Sequence, residues 1–457
     1  MQHTDSSKKK QLRYVTFISL IAAIGGFLFG YDTAVISGAI GFIEDRFVLS
    51  SAMVGWVVSS LIIGCIVGAA SSGFISDKLG RKSALIISGV LFTAGSAASA
   101  LPETVTGLVL ARMFGGLGVG MASTLAPLYI AEIAPAKYRG RLVSLYQLAV
   151  VTAIFVTFFI DSSIASLGDT AWDIETGWRW MFAVGVIPGI LFIIFLLFIP
   201  ESPRWLQKQG KSDRALATLQ RLNGKEEAKF ELKEIRLTLK EENTKMSQLF
   251  KPGLRLALLI GVILAILQQV TGINAVMYYA PEIFKATGAG TDAALVQTVM
   301  IGLINFIFTI LALWLIDKMG RKALLLIGST CMAVCLVFVG FAFHSGHTEG
   351  PWVLVFLLLY VASFAISLGP VVWVVISEIF PNRVRARATA IASMALWAAD
   401  YLVSQAFPMM LDSIGPATTF WVFAVMSVFT FFFTWKTVPE TKGKTLEEID
   451  QLWSSKA

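Results

Sequence analysis

Charge, histidine and cysteine are all scarce in this chain. Asp, Glu, Lys and Arg together supply 15% of its 457 residues, and His and Cys occur three times each. So little charge excludes an ordinary soluble protein, in which about a quarter of residues are charged. Cys65, Cys331 and Cys335 all fall inside apolar runs, which argues against a disulfide or zinc framework. Cys331 and Cys335 share a helix face at i, i+4, but no His or Asp stands near them, so packing is the better account of two thiols there. His344 and His347 are read as a chance pair in a polar loop. No His-Glu-x-x-His and no Gly-x-Ser-x-Gly pattern occurs, so the chain is not expected to be an enzyme, and no metal or cofactor is expected.

What the chain has in abundance is apolar sequence, at 56% hydrophobic residues and a mean hydropathy of +0.73. Twelve apolar runs stand near 15–41, 53–76, 84–101, 105–128, 141–163, 178–199, 255–284, 294–316, 323–343, 351–376, 388–411 and 417–436. Each is long enough to cross a bilayer as a helix. The fold class is therefore an all-α membrane protein of twelve transmembrane helices. The net charge of +7 is not read as a nucleic-acid footprint, because the basic residues follow the membrane. With the runs taken as spans, all but four of the 37 Lys and Arg fall on one side, the exceptions being Arg46, Arg112, Arg179 and Lys285. The opposite loop, Asp161 to Gly177, holds Asp169, Asp173 and Glu175 and no base. This asymmetry places both termini in the cytoplasm. Lys8-Lys9-Lys10 is followed by no small-residue cleavage site after the first apolar run, so 1–14 reads as a cytoplasmic tail rather than a signal peptide.

The chain repeats itself. Asp77-Lys78-Leu79-Gly80-Arg81-Lys82 recurs as Asp317-Lys318-Met319-Gly320-Arg321-Lys322, Glu132 with Arg139 recurs as Glu378 with Arg385, and Pro200-Glu201-Ser202 recurs as Pro439-Glu440-Thr441. The offsets are 240, 246 and 239 residues. Two parallel six-helix repeats follow, at 15–200 and 253–436, joined by a cytosolic helical linker at 201–252 and followed by a cytoplasmic tail at 437–457. In the linker, Ser202 is expected to cap a helix with Pro203 in its first turn, Asn223-Gly224 to break it, and Phe230, Ile235 and Leu239 to mark a second helix. The repeated charges Asp77, Arg81, Glu132, Arg139, Glu201, Asp317, Arg321, Glu378, Arg385 and Glu440 are expected to act as cytoplasmic gating charges that pair when the halves close there. The alternative is that they serve only to orient the chain, although the acids are not needed for that.

Polar residues inside the runs are expensive and therefore informative. Gln268-Gln269-Val270-Thr271-Gly272-Ile273-Asn274 and Tyr278-Tyr279 sit within the seventh run. On an unbroken helix Gln269 and Asn274 would point about 140° apart at 100° per residue. Gly272 invites a break that would let both face one ligand, as in the broken helices of transporters. The alternative is that the amides only bind helices together. Asp32 lies mid-way along the first run, and Arg112, followed by the small-residue run Gly115 to Gly120, is its natural partner. A permanent ion pair and a proton-coupling pair are both open on the sequence. Gln147, Asn305, Trp373 and Trp397 are further intramembrane residues suited to a polyhydroxyl ligand, amides offering donors and acceptors and indoles an apolar face with one N–H.

Gly30-Tyr31-Asp32, both Asp-Lys-x-Gly-Arg-Lys loops, Pro200-Glu201-Ser202-Pro203-Arg204, Gln268-Gln269-x-x-Gly272-x-Asn274, Gly369-Pro370-x-x-Trp373 and Pro439-Glu440-Thr441-Lys442-Gly443 together resemble the sugar porters of the major facilitator superfamily, in particular bacterial proton symporters for pentoses and hexoses. The resemblance covers essentially the whole chain. It implies a sugar held between the two halves, with contacts at Gln147, Gln268, Gln269, Asn274, Asn305 and Trp373, extending to Tyr278 and Tyr279. It also implies a proton-coupling role for Asp32 and Arg112, since passive members commonly carry an amide where Asp32 stands. The chain departs from the pattern at Leu396 and Asp400, where many members place an amide and an asparagine; Asp400 is then either a second proton-handling acid or a local hydrogen-bonding group. The expectation is proton-coupled import of a monosaccharide across the cytoplasmic membrane by a protein working as a monomer, with no nucleic-acid partner. A facilitator of the same fold, an inositol-type polyol porter, a sodium-coupled variant and a non-transporting sugar receptor are the alternatives.

Overall fold

A chain crossing hydrocarbon must satisfy its own backbone hydrogen bonds, and in one continuous segment only a helix does so. The computed structural model describes residues 2–135, 138–241, 254–380 and 384–442. Among these, eleven helices are long and apolar enough to cross a membrane, from Lys9–Phe47 to Arg387–Thr437. The last contains two of the twelve expected spans, because Gly415 at φ 78° and Pro416 interrupt it. The expected all-helical fold of twelve spans is thereby met.

The chain divides into two compact units. One comprises 1–32, 60–154 and 182–243; the other comprises 33–59, 155–181 and 244–457. In the first unit, glycines set the helix spacing. A Cβ on Gly64, Gly68, Gly116 or Gly120 would lie 2.1–2.3 Å from a backbone oxygen of the facing helix, which joins Ser51–Leu79 to Val105–Ile133. On the other flank, Gly115 meets Gly95 and Gly118 meets the Ser88 carbonyl of Arg81–Ser99. The Gly115 to Gly120 run thus admits close backbone approach from two sides.

The repeated charge motifs build two like knots. In the first unit, Arg81 binds Glu132 through Nε and Nη2 at 3.1 Å and Asp77 at 2.9 Å, while Glu201 accepts the N–H groups of Arg81 and Lys82. Ser202 Oγ donates to Glu132, and Trp205 Nε1 donates to the Asp77 carbonyl at 2.9 Å. In the second unit, Arg321 binds Glu378 at 2.9 and 3.1 Å, Glu440 accepts the N–H groups of Arg321 and Lys322, and Thr441 Oγ1 donates to Glu378. Each knot closes within its own sequence half. Arg139 is exposed, and Arg385 donates to the Phe380 carbonyl rather than to Glu378. The Asp317 side chain lies outside the described residues.

Within the linker, Ser202 caps Pro203–Lys208 by accepting from Trp205 N at 3.2 Å, as expected, and Gly224 at φ 91° ends Ser212–Asn223. Trp205, Leu206, Ala215 and Leu219 pack with Ala228 and Leu232 of Lys225–Glu241. The second helix expected from Phe230, Ile235 and Leu239 is present as Lys225–Glu241, with Phe230 on its outer side. Phe230 is 66% exposed, because the inward stripe runs through Ala228, Leu232 and Ile235.

In the second unit, residues 33–59 and 155–181 join the C-terminal helices. Ser59 Oγ donates to Gln405 Oε1 at 3.0 Å, Gln405 Nε2 donates to the Ala52 carbonyl at 2.9 Å, and Ser51 Oγ donates to Asp412 at 2.9 Å. The loop expected from Asp161 begins later: Arg139–Ala165 stays helical, and Asp161 is buried against Gly38.

Glu201 and Glu440 hold equivalent places with opposite balances. Burial is the larger influence on Glu201 and lifts its carboxyl above the usual glutamate value, against the N–H donors of Ser202, Lys82 and Arg81. Burial also acts upward on Glu440, but the N–H groups of Lys442, Arg321, Lys322 and Thr441 together hold it below that value. A carboxyl held low contributes stability that is present above the unfolded value of 4.5 and is lost as pH falls through its folded value; one held high costs stability once pH exceeds 4.5. Glu440→Gln is therefore expected to lower the thermal midpoint at neutral pH more than Glu201→Gln, with the gap narrowing below pH 4.5. Thermal unfolding of the purified variants across that range measures it, and equal drops at every pH would contradict it.

Candidate functional site

Among the described residues, the polar groups named from the sequence inside the spans fall into two clusters, one in each unit. The first is Asp32 with Arg112. Arg112 is 2% exposed on Val105–Ile133, its Nη1 lies 3.6 Å from Asp32 Oδ1, and its guanidinium stands 5.6 Å from the centre of the Phe182 ring. A separation of 3.6 Å exceeds the 2.7–2.9 Å of a charge-assisted hydrogen bond, so the two are an ion pair held by their helices. Gly115, one turn beyond Arg112, would place a Cβ 3.9 Å from Asp32 Oδ2. The small residue there leaves room for the carboxyl. Gln147, half-buried, belongs to this unit.

The second group is organised by a helix break. Leu254–Val270 ends and Ile273–Lys285 begins across Thr271 and Gly272, with Gly272 left-handed at φ 92° and ψ 10°. An L side chain at this φ is strained, and a Cβ would also meet the Phe423 ring at 2.5 Å. The freed backbone finds partners inside the protein: Tyr360 OH donates to the Thr271 carbonyl at 2.9 Å, and Gly272 N donates to the Gln269 carbonyl at 2.9 Å. The expected break at Gly272 is present, and across it Asn274 Nδ2 donates to Gln269 Oε1 at 3.0 Å.

A second break faces the first. Trp352–Ile366 stops at Ser367, with φ −126° and ψ −94°, and Leu368–Glu378 resumes. Gln268 Nε2 donates to the Leu368 and Gly369 carbonyls at 2.7 and 3.1 Å. One side chain thus serves the interrupted backbone of a helix 100 residues away. Tyr278 and Tyr279 are each 2% exposed; Tyr279 OH donates to the Ser404 carbonyl at 2.9 Å, and its ring lies 5.2 Å from Phe407. Asn305 and Trp397 are buried, whereas Trp373 is 36% exposed.

All the residues named from the sequence for this second group, Gln268, Gln269, Asn274, Tyr278, Tyr279, Asn305, Trp373 and Trp397, belong to one unit. Asp400, set apart in the sequence only by its departure from the resemblance, is 1% exposed beside this group, with Ser404 Oγ donating to its Oδ1 at 3.1 Å. Sequence reasoning missed Tyr360 and Ser404, buried groups that hold or fill the break. Their signal was a lone polar atom in an apolar helix, too common to single out.

Comparison with known proteins places this geometry. The family described as "Sugar (and other) transporter" matches residues 18–453. The arabinose-proton symporter of Bacillus subtilis is 49% identical, with 98% of this chain and 97% of that one covered. The D-xylose-proton symporter of Escherichia coli is 43% identical, with 96% of each chain covered. Among solved structures, the partially occluded inward-open form of the xylose transporter XylE from E. coli superposes with a TM-score of 0.86 at 42% identity, over 95% of this chain and all of that one.

Replacing Gln268 with alanine leaves the Leu368 and Gly369 carbonyls without their donor. Each buried carbonyl orphaned costs about 1–3 kcal/mol, so Gln268→Ala is expected to lower the thermal midpoint of the purified protein clearly, and Gln268→Glu, which cannot donate when ionised, to lower it as well. An unchanged midpoint in both variants would mean that water or another side chain serves those carbonyls.

Proposed function

From the premise that the chain belongs to the sugar transporter family, we propose that it imports a monosaccharide, pentose or hexose, together with a proton across the cytoplasmic membrane. The observation that carries this reading is the coexistence of a buried Asp32–Arg112 ion pair with an uncharged cluster of amides and aromatic rings at a helix break. A sugar needs donors, acceptors and an apolar face and brings no charge. A proton needs a group that changes charge within the membrane. The relatives add weight, being named as symporters that couple arabinose, xylose or galactose to protons.

Gln147, Gln268, Gln269, Asn274, Asn305, Trp373 and Trp397 are the residues assigned here to sugar contact. Tyr278 and Tyr279 close the apolar side of the site. Asp32 takes up the coupling proton. Protonation removes the negative partner of Arg112 and releases its helix from an ion pair, which biases the equilibrium between states open to opposite sides of the membrane. The charge knots at Arg81 and Arg321 carry the repeated gating charges on the cytoplasmic side, where both termini also lie, as the distribution of Lys and Arg requires. A single chain carries the whole apparatus.

The test is uptake of labelled xylose, arabinose, glucose, galactose and inositol into proteoliposomes of the purified protein, with and without an inward proton gradient. One sugar should accumulate above its outside concentration, and collapse of the gradient should abolish the accumulation. Asp32→Asn should lose uphill accumulation while retaining exchange of the same sugar. Equilibration without accumulation in the wild type would make the chain a facilitator, and no transport of any sugar would overturn the reading.

A further inference from the structure

The two repeats build the same charge knot, but the helix ends around it are furnished differently. In the second unit, Thr291–Met319 ends and Arg321–Ser345 begins close to where Arg385–Thr437 ends. Lys318 Nζ lies 3.4 Å from the centre of the Trp314 ring, Lys322 Nζ donates to the Trp435 carbonyl at 2.8 Å, and Lys442 Nζ donates to the Lys318 carbonyl at 2.7 Å. These contacts draw Lys318, Lys322 and Lys442, with Lys436 next to Trp435, into one patch. Trp314, Phe432 and Trp435 are all exposed along it.

Lys318, Lys436 and Lys442 are exposed as well. An ammonium carries three hydrogens, so Lys322 and Lys442 each keep two after the hydrogen bond that each makes. The acids nearby whose side chains are described are already engaged. Glu378 is bound to Arg321, and Glu440 accepts the N–H groups of Arg321, Lys322 and Lys442.

The first unit forms the same knot in different surroundings. Lys82 Nζ donates to the Leu197 carbonyl at 2.8 Å, as Lys322 Nζ does to that of Trp435. Yet Phe74 stands where the repeat has Trp314, Leu196-Leu197-Phe198 precede Pro200 where Trp435-Lys436-Thr437 precede Pro439, and Pro203 stands where the repeat has Lys442. Lys208, a further base there, is spent on Asp77 at 2.8 Å. The knot therefore does not require the added lysines and indoles of the second unit. Lipid tails do not require them either, because Phe74 and Phe198 are exposed in the first unit without them.

Indole rings settle at the level of lipid headgroups, and lysines at a helix end attract anionic ones. We propose that Trp314, Lys318, Trp435, Lys436 and Lys442 form a binding site for one anionic phospholipid of the phosphatidylglycerol type. The lysines hold its phosphate, and its acyl chains lie along Trp314, Phe432 and Trp435. A zwitterionic lipid would bring its own cation into a patch that already holds four ammonium groups, and is disfavoured.

Trp314 and Trp435 report on the site directly. The full-length protein is reconstituted in phosphatidylcholine vesicles in which a rising share of the lipid is phosphatidylglycerol brominated on its acyl chains or, separately, brominated phosphatidylcholine. The fluorescence of the two rings is the difference between the wild type and Trp314→Phe/Trp435→Phe. Half of their quenching should need a share of brominated phosphatidylglycerol about fivefold lower than of brominated phosphatidylcholine, the factor that attraction by about one lysine supplies. Lys318→Gln/Lys436→Gln/Lys442→Gln should bring the two curves together, with Lys322 left in place to hold the Trp435 carbonyl. Lys78→Gln, in the first unit, should leave them apart, and added salt should narrow the gap. Should the triple variant not fold, Lys436→Gln alone should narrow the gap in the same direction. Coincident curves in the wild type, or a gap that survives the lysine substitutions, would overturn the proposal and leave the transport reading standing.

Discussion

A peptide group left unpaired in the low dielectric of a membrane costs several kcal/mol, and much of the second unit is arranged around two places where this cost would otherwise fall due. One is the left-handed turn at Gly272 and the other is the break at Ser367. Neither is relieved by lipid or by a regular helix. Tyr360 reaches the Thr271 carbonyl, and Gln268 reaches the Leu368 and Gly369 carbonyls. Phe423 fills the space beside Gly272 that any other residue would need. The same breaks turn amides toward one another, so the device that satisfies the backbone also assembles the polar cluster. Site and stability share atoms here.

The charge knots obey a related rule at the ends of the spans. Arg81 is bound by Asp77 and Glu132 together, and Glu201 takes the first N–H groups of the helix that Arg81 begins. Arg321, Glu378 and Glu440 repeat the plan. A helix N-terminus offers unpaired N–H groups and a positive dipole end, so a carboxylate there is stabilised by structure it also completes. Each knot ties the start of one span to the end of another span of the same half.

Local chemistry in the sequence was legible, and distant partnership was not. The repeat of Asp77 to Lys82 at Asp317 to Lys322, the break at Gly272, the Ser202 cap and the approach of Asp32 to Arg112 could each be read because spacing, glycine or a costly charge marked them. Gln268 was legible as a polar residue needing a use, but its partner lay 100 residues on, in backbone that only a second break exposes. Phe230, Ile235 and Leu239 marked the second linker helix correctly, but which of its residues turn inward was not legible: Ala228 and Leu232 are buried in the linker core and Phe230 is exposed. Asp161 misled. An acid at the edge of an apolar run reads as loop, yet Gly38 opens a space for its carboxyl inside the packed helices.

The Asp32–Arg112 pair draws its character from the same glycines that set helix spacing. Arg112 Nη1 stands 3.6 Å from Asp32 Oδ1, and the helix of Arg112 is seated by Gly115, Gly116, Gly118 and Gly120. At an effective dielectric near 20, unit charges at that distance attract by about 4–5 kcal/mol, falling to about 3 kcal/mol at about 6 Å. The difference of about 2 kcal/mol changes any linked equilibrium by more than tenfold. A displacement of two or three ångströms between packed helices is therefore enough to make the charge state of the pair and the arrangement of the helices depend on one another.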